Sequence, residues 1–323
     1  MRPLWRRMAL GISVAVGVAL LAAGWSWYGP GPAEKPTTII VDEGSSLGEL
    51  GIPLERSGVI NSSQIFRVGV RLFASSDPIQ AGEFEIPKGA SASSIVDLLQ
   101  HGRPVQRLIT VTEGMPSIIV EERLAANPLL TGPTPSIAEG SVLPDSYSFE
   151  RGEARAAVVK RMQAAMTKTL DQLWPKNSGK CPVTTREGAV VLASIVEKET
   201  GKASERRTVA GVYCNRLRIG MKLDADPTVI YPITRGKPLG RRIKRSELMA
   251  ETGYNTYRRA GLPIGPIANP GRDSIAAVLN PAETQAIYFV ADGSGGHVFA
   301  DTLQQHQANV QRWYAIRRQR GEM

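Results

Sequence analysis

Two carboxylates, Glu197 and Glu199, directly follow a run of apolar residues in the stretch VVLASIVEKET. Two threonines and then Glu187 precede this run, a pattern typical of the first turn of a helix. With about 100° per residue, Glu199 lies about 20° from Leu192, at the centre of the most apolar face of this predicted helix. Glu197 lies about 140° from Leu192, at the edge of the packed face. Gly201 is expected to end the helix just beyond both acids.

The position of Glu199 suits it to proton transfer. Burial disfavours the charged form of a carboxyl group and so raises its pKa. A raised pKa keeps a proton available near neutral pH, as a general acid requires. The alternative is a structural role, in which Glu199 caps the helix end or pairs with a buried arginine. An acid at a helix C-terminus opposes the helix dipole and costs stability, and this cost favours a functional role.

Further polar groups that could bind a ligand lie downstream of these acids. A second predicted helix, over residues 204–218, carries Asn215 and Arg216, which either reach a ligand or form a satisfied polar edge. Asp226 precedes a proline, and this favours an extended or turn conformation for the acid.

The stretch YNTY supplies hydroxyl, amide and ring groups from Tyr254, Asn255 and Tyr257. This composition suits the faces and edges of sugars, because aromatic rings offer apolar surface together with a polar handle. Residues 261–271 contain three prolines and three glycines and are expected to form a rigid loop. His297 follows a glycine turn at the start of a predicted strand, where we expect a surface histidine.

The composition narrows the class of protein. The 323 residues, 42% hydrophobic and 21% charged, are typical of an ordered chain of one to three domains. The three histidines lack the spacing of metal ligands, so we expect no metal site and no other cofactor. Cys181 and Cys214 are too few for a disulfide framework, and they are either free or joined in one bridge.

The basic character of the chain has two interpretations. A net charge of +9 indicates either an anionic partner or a solvated basic surface, and the dispersed basic residues favour the second. Residues 235–245 carry six basic side chains, which are expected to be solvated rather than bound to anionic glycan peptides or lipid. Few aromatic residues alternate with the basic ones, which argues against nucleic acid as a partner.

The N-terminal segment has the length and composition of a membrane span. Residues 8–28 carry no charge, and about 20 apolar residues are needed to cross a bilayer. Arg2, Arg6 and Arg7 predict a cytoplasmic start, and the aromatic residues 25, 27 and 28 are expected at the far interface. A cleaved signal peptide is the alternative, because small residues occur at positions 22–24. The length of the apolar run and the bulky aromatics favour the anchor.

The remainder of the chain predicts an α+β fold. A proline- and glycine-rich linker over residues 29–36 leads into a strand-helix-helix-strand-helix order within residues 37–105. This order indicates a small α+β module, and a larger α+β domain is expected over residues 106–323.

Four stretches together resemble the MltG-type (YceG-like) endolytic murein transglycosylases. They are ASIVEKET, VYCNRLRIGMKLDADPTVIY, YNTYRRAGLPIGPIANPG and YFVADGSGGHVF. The likeness extends over about residues 37–315, with the same order and spacing. It implies a cytoplasmic tail over residues 1–7, one membrane helix over 8–28, a LysM-like module over 37–105 and a catalytic domain over 106–323.

The resemblance also implies an activity and a set of site residues. The expected reaction cleaves nascent peptidoglycan without water and leaves 1,6-anhydro-N-acetylmuramic acid ends. The family's catalytic glutamate matches Glu199, with Glu197 as the fallback candidate. The expected partners are peptidoglycan glycan strands and the inner-membrane lipid bilayer, with peptidoglycan synthases as further candidates and the catalytic domain in the periplasm. The residues expected to position the substrate are Thr200, Asn215, Asp226, Tyr254, Asn255 and Tyr257.

Two other functions stay open at this point. One is a non-catalytic peptidoglycan-binding scaffold of the cell-wall machinery, which would not require a proton donor such as Glu199. The other is a hydrolytic muramidase, which needs a second acid near the first, a role that Asp224 or Asp226 could fill. The nature of the cleaved glycan ends distinguishes the two enzymes.

Overall fold

The computed structural model describes the backbone of residues 2–322, together with the side chains of Met8 and of residues 11–322. The chain divides into two compact units. The first comprises the described residues up to Arg107 together with Ser148–Gly152. The second comprises Leu108–Tyr147 and the described residues from Glu153 onward. Helices and two-stranded sheets are mixed in the chain, and this confirms the predicted α+β class.

The chain starts with a long helix, α1 (Arg2–Tyr28). Within the described part of the chain, the segment Gly11–Tyr28 of this helix is long and apolar enough to cross a membrane. The side chains of Arg2, Arg6 and Arg7 lie outside the described residues. Trp25 and Tyr28 are exposed, as expected of residues at an interface, but Trp27 is only 3% exposed. The ring of Trp27 packs into the core of the first unit, a contact that the predicted interfacial position does not include.

The first unit has the predicted strand-helix-helix-strand-helix order. Its elements are β1 (Thr37–Val41), α2 (Leu47–Arg56), α3 (Ser63–Phe73), β2 (Gly82–Ile86) and α4 (Ala92–His101). The strands β1 and β2 pair antiparallel, with Thr37 opposite Ile86 and Val41 opposite Gly82. Alternate residues of β1 are buried, so the sheet contributes one face to a core that also contains Leu54, Phe66 and Ile95.

The second unit is mainly helical. Its helices are α5 (Ser117–Ala126), α6 (Arg155–Leu173), α7 (Arg186–Glu199), α8 (Arg206–Arg218), α9 (Asp226–Thr234), α10 (Arg245–Leu248), α11 (Arg272–Leu279) and α12 (Leu303–Gln319). The strands β5 (Tyr288–Ala291) and β6 (His297–Ala300) pair within this unit, whereas β3 (Arg107–Thr110) and β4 (Ser146–Phe149), which pair with each other, include residues of both units. Every residue of α7 from Ala189 to Val196 is buried, so α7 is the central helix of this unit.

Two features of the second unit concern the state of the two cysteines, which the sequence left open, and the conformation at Asp226, which was predicted incorrectly. Cys181 and Cys214 form a disulfide, with their Cα atoms 4.8 Å apart, which ties the segment before α7 to the middle of α8. Asp226 is the first residue of α9, so the prediction of an extended or turn conformation is wrong. An acid in the first turn is favourable to the helix dipole, and a proline there loses no hydrogen bond, so the pair starts a helix.

Candidate active site

Helix α7 delivers Glu199 to the site as its last residue. Thr185 caps the start of the helix, because its hydroxyl accepts a hydrogen bond from the backbone N–H of Gly188 at 3.0 Å. The helix ends at Glu199, and the buried Thr200 is its C-cap. The Thr200 hydroxyl accepts a hydrogen bond from the backbone N–H of Lys202 at 3.1 Å, which fixes the turn that follows. Both ends of the predicted helix are confirmed to within one or two residues.

Glu199 has a perturbed carboxyl group. Burial raises the pKa of Glu199 from its ordinary value of 4.5 to about 7, and the nearby charge of Asp226 adds to the increase. A hydrogen bond from the Tyr213 hydroxyl and the positive charge of Arg216 act in the opposite direction and limit it. A carboxyl with a pKa near 7 exchanges a proton readily at neutral pH, so Glu199 has the property of a general acid that can also act as a base.

Tyr213 lies on α8 and faces Glu199 from inside the core. Its side chain is 1% exposed, and its ring packs edge-on against Phe289 at 5.7 Å between centroids. Burial is the main reason that the pKa of Tyr213 is raised well above its ordinary value, so the phenol stays protonated. A protonated phenol next to a carboxylate is a fixed donor, and it orients the carboxyl of Glu199.

Asp226 and Tyr257 form a second hydrogen-bonded pair next to the first. The Tyr257 hydroxyl donates to Oδ1 of Asp226 at 2.7 Å. Burial and this hydrogen bond raise the pKa of Tyr257, and the charge of Glu199 contributes to the same increase. Glu199, Tyr213, Asp226 and Tyr257 form one polar cluster, because each lies near enough to another of the four to affect a pKa within the group. They are carried by three helices and a loop.

Arg216 holds the segment that carries Asp226. Its guanidinium is buried and donates to the backbone carbonyls of Leu223 at 2.7 Å and Ile287 at 2.6 Å. It also lies 3.8 Å from a carboxylate oxygen of Asp224, whose pKa is raised by burial despite this charge. Asp224 adopts a left-handed conformation with φ of 48°, which turns the chain sharply into α9. Arg216 therefore fixes the turn that leads from the end of α8 to Asp226.

Glu197 lies in a different environment from Glu199. Its carboxylate accepts a hydrogen bond from the backbone N–H of Gly271 at 2.9 Å and lies 3.7 Å from Arg206. The guanidinium of Arg206 also lies 3.4 Å from Glu113 and 3.4 Å from Asp273. Glu197 thus belongs to a group of charges that attaches the end of the 261–271 loop to α7 and α8.

The two asparagines predicted to bind substrate have their amides engaged by the backbone. The Asn215 amide donates to the carbonyls of Thr284 at 2.8 Å and Ala286 at 3.0 Å. Asn255 is 1% exposed, and its amide donates to the carbonyls of Glu247, Leu248 and Ala250, the shortest at 2.7 Å. Its side-chain oxygen accepts from the N–H of Tyr257, which positions that tyrosine.

Tyr254 is not a member of this four-residue cluster. Its ring packs against the ring of Tyr231, with 4.8 Å between centroids. The Tyr231 hydroxyl interacts with Glu139, a carboxyl whose pKa is raised by burial. Tyr254 therefore belongs to an aromatic pair with Tyr231 of α9 rather than to the four-residue cluster.

A cavity of about 560 Å³ lies within the second unit, and none of the four residues of the cluster lines it. It is bounded by Lys198 and Pro227, the sequence neighbours of Glu199 and Asp226. Apolar side chains such as Met115, Ile230 and Ile267 form part of its wall. An apolar depression with a few polar groups at its margin is the usual form of a ligand site.

Two residues contradict or escape the sequence-based expectations. Tyr213 escapes the sequence analysis, because no local pattern indicates that its hydroxyl meets an acid of the preceding helix. His297 was expected at the surface, which is wrong, since its side chain is 16% exposed. Its Nδ1 lies 2.9 Å from a carboxylate oxygen of Glu205, so the ring holds β6 to the start of α8.

Comparison with known proteins identifies a family and a solved structure that are similar to this chain. A family model described as the YceG-like family matches residues 39–312. The chain belongs to the YceG-like family. A 2.6 Å crystal structure of a YceG-like protein from Listeria monocytogenes has the same fold, with a TM-score of 0.55 and 24% identity. That match covers 85% of this YceG-like chain and 99% of the other.

Several curated relatives of this YceG-like chain carry the name endolytic murein transglycosylase. Two from Streptococcus pneumoniae, strains D39 and R6, are 27% identical over 93% of this chain, which spans 64% of their length. One from Bacillus subtilis strain 168 is 26% identical, and the match covers 93% of each chain.

Proposed function

We propose that this YceG-like chain is an endolytic murein transglycosylase that cleaves the bond between N-acetylmuramic acid and N-acetylglucosamine in nascent glycan strands. The observation that carries the proposal is Glu199, a partly buried carboxyl with a pKa raised to about 7 beside a donor phenol. The name shared by the curated relatives supports the same activity. A non-catalytic scaffold would gain nothing from a carboxyl held in this costly state.

The proposed mechanism uses one carboxyl group twice. Protonated Glu199 donates its proton to the glycosidic oxygen, and the acetamido group of the sugar stabilises the positive charge that develops at the anomeric carbon. The carboxylate of Glu199 then accepts the proton of the C6 hydroxyl, whose oxygen attacks the anomeric carbon. This closes the ring and leaves a 1,6-anhydro-N-acetylmuramic acid end. A pKa near 7 suits both steps, because neither proton form is strongly disfavoured at neutral pH.

The neighbouring residues are proposed to position the sugar and the carboxyl. Tyr213 orients Glu199, and Thr200 fixes the backbone immediately after it. Asp226 and Tyr257 present a hydrogen-bonded pair to the same site, and Tyr254 offers a ring for a sugar face. Asn215 and Asn255 are proposed to act through the backbone that their amides hold. Glu197, the fallback candidate for the acid, is proposed to be a structural partner of Arg206.

The proposed location is the outer face of the inner membrane, with α1 as a single-pass anchor and the rest of the chain in the periplasm. The disulfide between Cys181 and Cys214 supports this, since disulfides persist in oxidising compartments and are rare in the cytoplasm. Residues 37–105 are proposed as a LysM-like module that binds glycan. Peptidoglycan synthases are proposed partners, because they supply nascent strands.

Product analysis tests the proposal. Purified full-length chain is incubated with glycan strands, and the ends are identified by mass spectrometry. We expect anhydro ends from the native chain and from Glu187→Gln, a control in an exposed acid of the same helix, and none from Glu199→Gln. Reducing ends would instead indicate a hydrolase with Asp226 or Asp224 as its second acid. Intact strands with the native chain would indicate a scaffold, and full activity of Glu199→Gln would discard the assignment of the acid.

A further inference from the structure

Helix α3 in the first unit has an apolar stripe that no other part of the described chain covers. Ile65, Val68 and Leu72 are 55%, 56% and 67% exposed, although they are large and aliphatic. They recur at spacings of three and four residues, so they lie along one side of the helix. A row of such side chains on a helix surface marks an interaction site more often than scattered single residues do.

The last turn of α1 packs directly against α3. The ring of Trp27 lies 6.1 Å from that of Phe66 and 5.7 Å from that of Phe73, and Tyr28 lies 6.3 Å from Phe73. Gly69, between Phe66 and Phe73 on α3, allows Trp27 to pack this closely, because a Cβ at that position would lie 2.3 Å from the Trp27 ring. Helix α3 is therefore fixed at the end of the apolar segment Gly11–Tyr28.

The exposed stripe adjoins the side of α3 on which Trp27 packs. With Phe66 at zero and about 100° per residue, Gly69 lies at about 300° and the stripe between about 200° and 260°. The exposed residue Trp25 of α1 and Ile65 of α3 line the same depression of about 200 Å³. The apolar surface of α1 and the stripe of α3 thus meet at one depression, whose lining also includes Ser26, Asn61 and Ser62.

The charges of α3 suit an anionic surface. Arg67 and Arg71 lie at about 100° and 140°, along the edge of the stripe away from Trp27. Both are exposed, and α3 contains no acidic residue. Arginine side chains beside an apolar stripe can extend to phosphate groups while the stripe enters the acyl region.

We propose that α3 lies in the interface of the membrane that α1 spans, with Ile65, Val68 and Leu72 among the upper acyl chains. The lipid headgroups that Arg67 and Arg71 contact are anionic phospholipids. This inference rests on the proposed anchor, and it adds a second point of attachment that fixes the first unit against the bilayer.

Depth-dependent quenching tests this placement in the full-length chain. Both native cysteines are joined in a disulfide, so a thiol-reactive fluorophore labels a single new cysteine in Val68→Cys, Leu20→Cys or Ile219→Cys. Leu20 reports on the anchor, and Ile219, 62% exposed on the second unit, is the matched control. Each labelled chain is placed in nanodiscs that contain phosphatidylglycerol, with or without bromine on the acyl chains.

The labels at Leu20 and Val68 are expected to lose at least about half of their emission to brominated lipid, while the label at Ile219 loses little. Quenching at Leu20 with none at Val68 would overturn the placement of α3 and leave the anchor intact. Absence of quenching at Leu20 would overturn the anchor itself. A label at Val68 that is shielded only as the protein concentration rises would show that a second copy covers the stripe, and this would also overturn the inference.

Discussion

The phenol of Tyr213, on α8, interacts with the carboxyl of Glu199, the last residue of α7, and this interaction lowers the pKa of that carboxyl. The phenol is almost completely buried, so water does not compete for the carboxylate from that side. Two opposing influences meet at the carboxyl: burial raises its pKa, and the bond from Tyr213 lowers it. Together they hold the pKa near 7, where the group is both a usable acid and a usable base.

Replacement of Tyr213 by Phe removes the donor and leaves the ring. The carboxylate of Glu199 loses a stabilising hydrogen bond, so its pKa rises above about 7. Since protonated Glu199 starts the reaction, the decline of activity at high pH is expected to move to higher pH in Tyr213→Phe. The maximal rate is expected to fall by about ten- to a hundredfold, because the carboxyl is less well oriented. The rate of anhydro-end formation, measured between about pH 5 and 9, checks both effects.

Tyr147→Phe is the matched control for this variant. Tyr147 lies in the same unit and is largely buried, and its hydroxyl donates to the carbonyl of Leu143 at 2.6 Å, away from Glu199. Its loss should affect stability but leave the pH at which activity declines unchanged. An unshifted high-pH limb in Tyr213→Phe would show that the phenol does not act on the catalytic carboxyl.

The raised pKa of Glu199 also predicts how stability depends on pH. Its carboxyl has a pKa of about 7 in the folded chain and an ordinary value of 4.5, so the folded state retains a proton that the unfolded state loses. Its contribution to stability is therefore complete below about pH 4.5 and is lost as the pH rises through about 7. The Gln side chain in Glu199→Gln does not titrate. The free energy of unfolding of this variant should therefore rise relative to that of the native chain as the pH increases, by at most about 3 kcal/mol.

Urea unfolding at about pH 5 and pH 8 measures this difference. Glu187→Gln removes an exposed carboxylate from the first turn of the same helix and serves as the control, with no such pH-dependent gain. Parallel stability profiles for Glu199→Gln and the native chain would contradict a raised pKa at this position.

The sequence predicts those parts of the site that depend on local patterns. The caps and the apolar periodicity of α7 act within a few residues, so they locate Glu199 and its apolar face. The role of Tyr213 depends on how α8 packs against α7, and a tyrosine in an apolar stripe gives no sign of its partner. In the same way, Asn255 was interpreted as a sugar ligand because a sequence does not show which backbone carbonyls surround an amide. Trp27 escaped prediction because its partners Phe66 and Phe73 lie in another helix.

The environment of Glu197 predicts a structural defect when its side chain is removed. Glu197→Ala leaves the Gly271 N–H without an acceptor and the buried Arg206 with one negative neighbour fewer. The free energy of unfolding is expected to fall by about 2–4 kcal/mol, because both groups lie out of contact with bulk water. The folded fraction should cleave glycan at nearly the native rate. Denaturation curves and product analysis on the same preparation measure the two quantities separately.

Glu197→Gln is the conservative partner of this variant. Its amide oxygen can still accept from Gly271, and Glu113 and Asp273 still face Arg206 at 3.4 Å each, so a smaller loss of stability is expected. If Glu197→Gln folded normally but no longer cleaved glycan, Glu197 would be the acid and the assignment of Glu199 would be wrong.

The disulfide between Cys181 and Cys214 predicts that the site depends on the redox state of the chain. The bridge closes a loop with a sequence separation of 33, and Cys214 is the residue directly after Tyr213 on α8. Replacement of both cysteines by Ala is expected to lower the free energy of unfolding by about 2–4 kcal/mol, chiefly because the unfolded chain gains conformational freedom. A looser attachment of α8 should also lower activity by disturbing the bond from Tyr213 to Glu199.

Urea unfolding and product analysis, each with and without a thiol reductant, check this: the native chain should respond to the reductant and the double-Ala variant should not. If the double-Ala variant matched the native chain in both measurements, the bridge would contribute neither to stability nor to the geometry of the site.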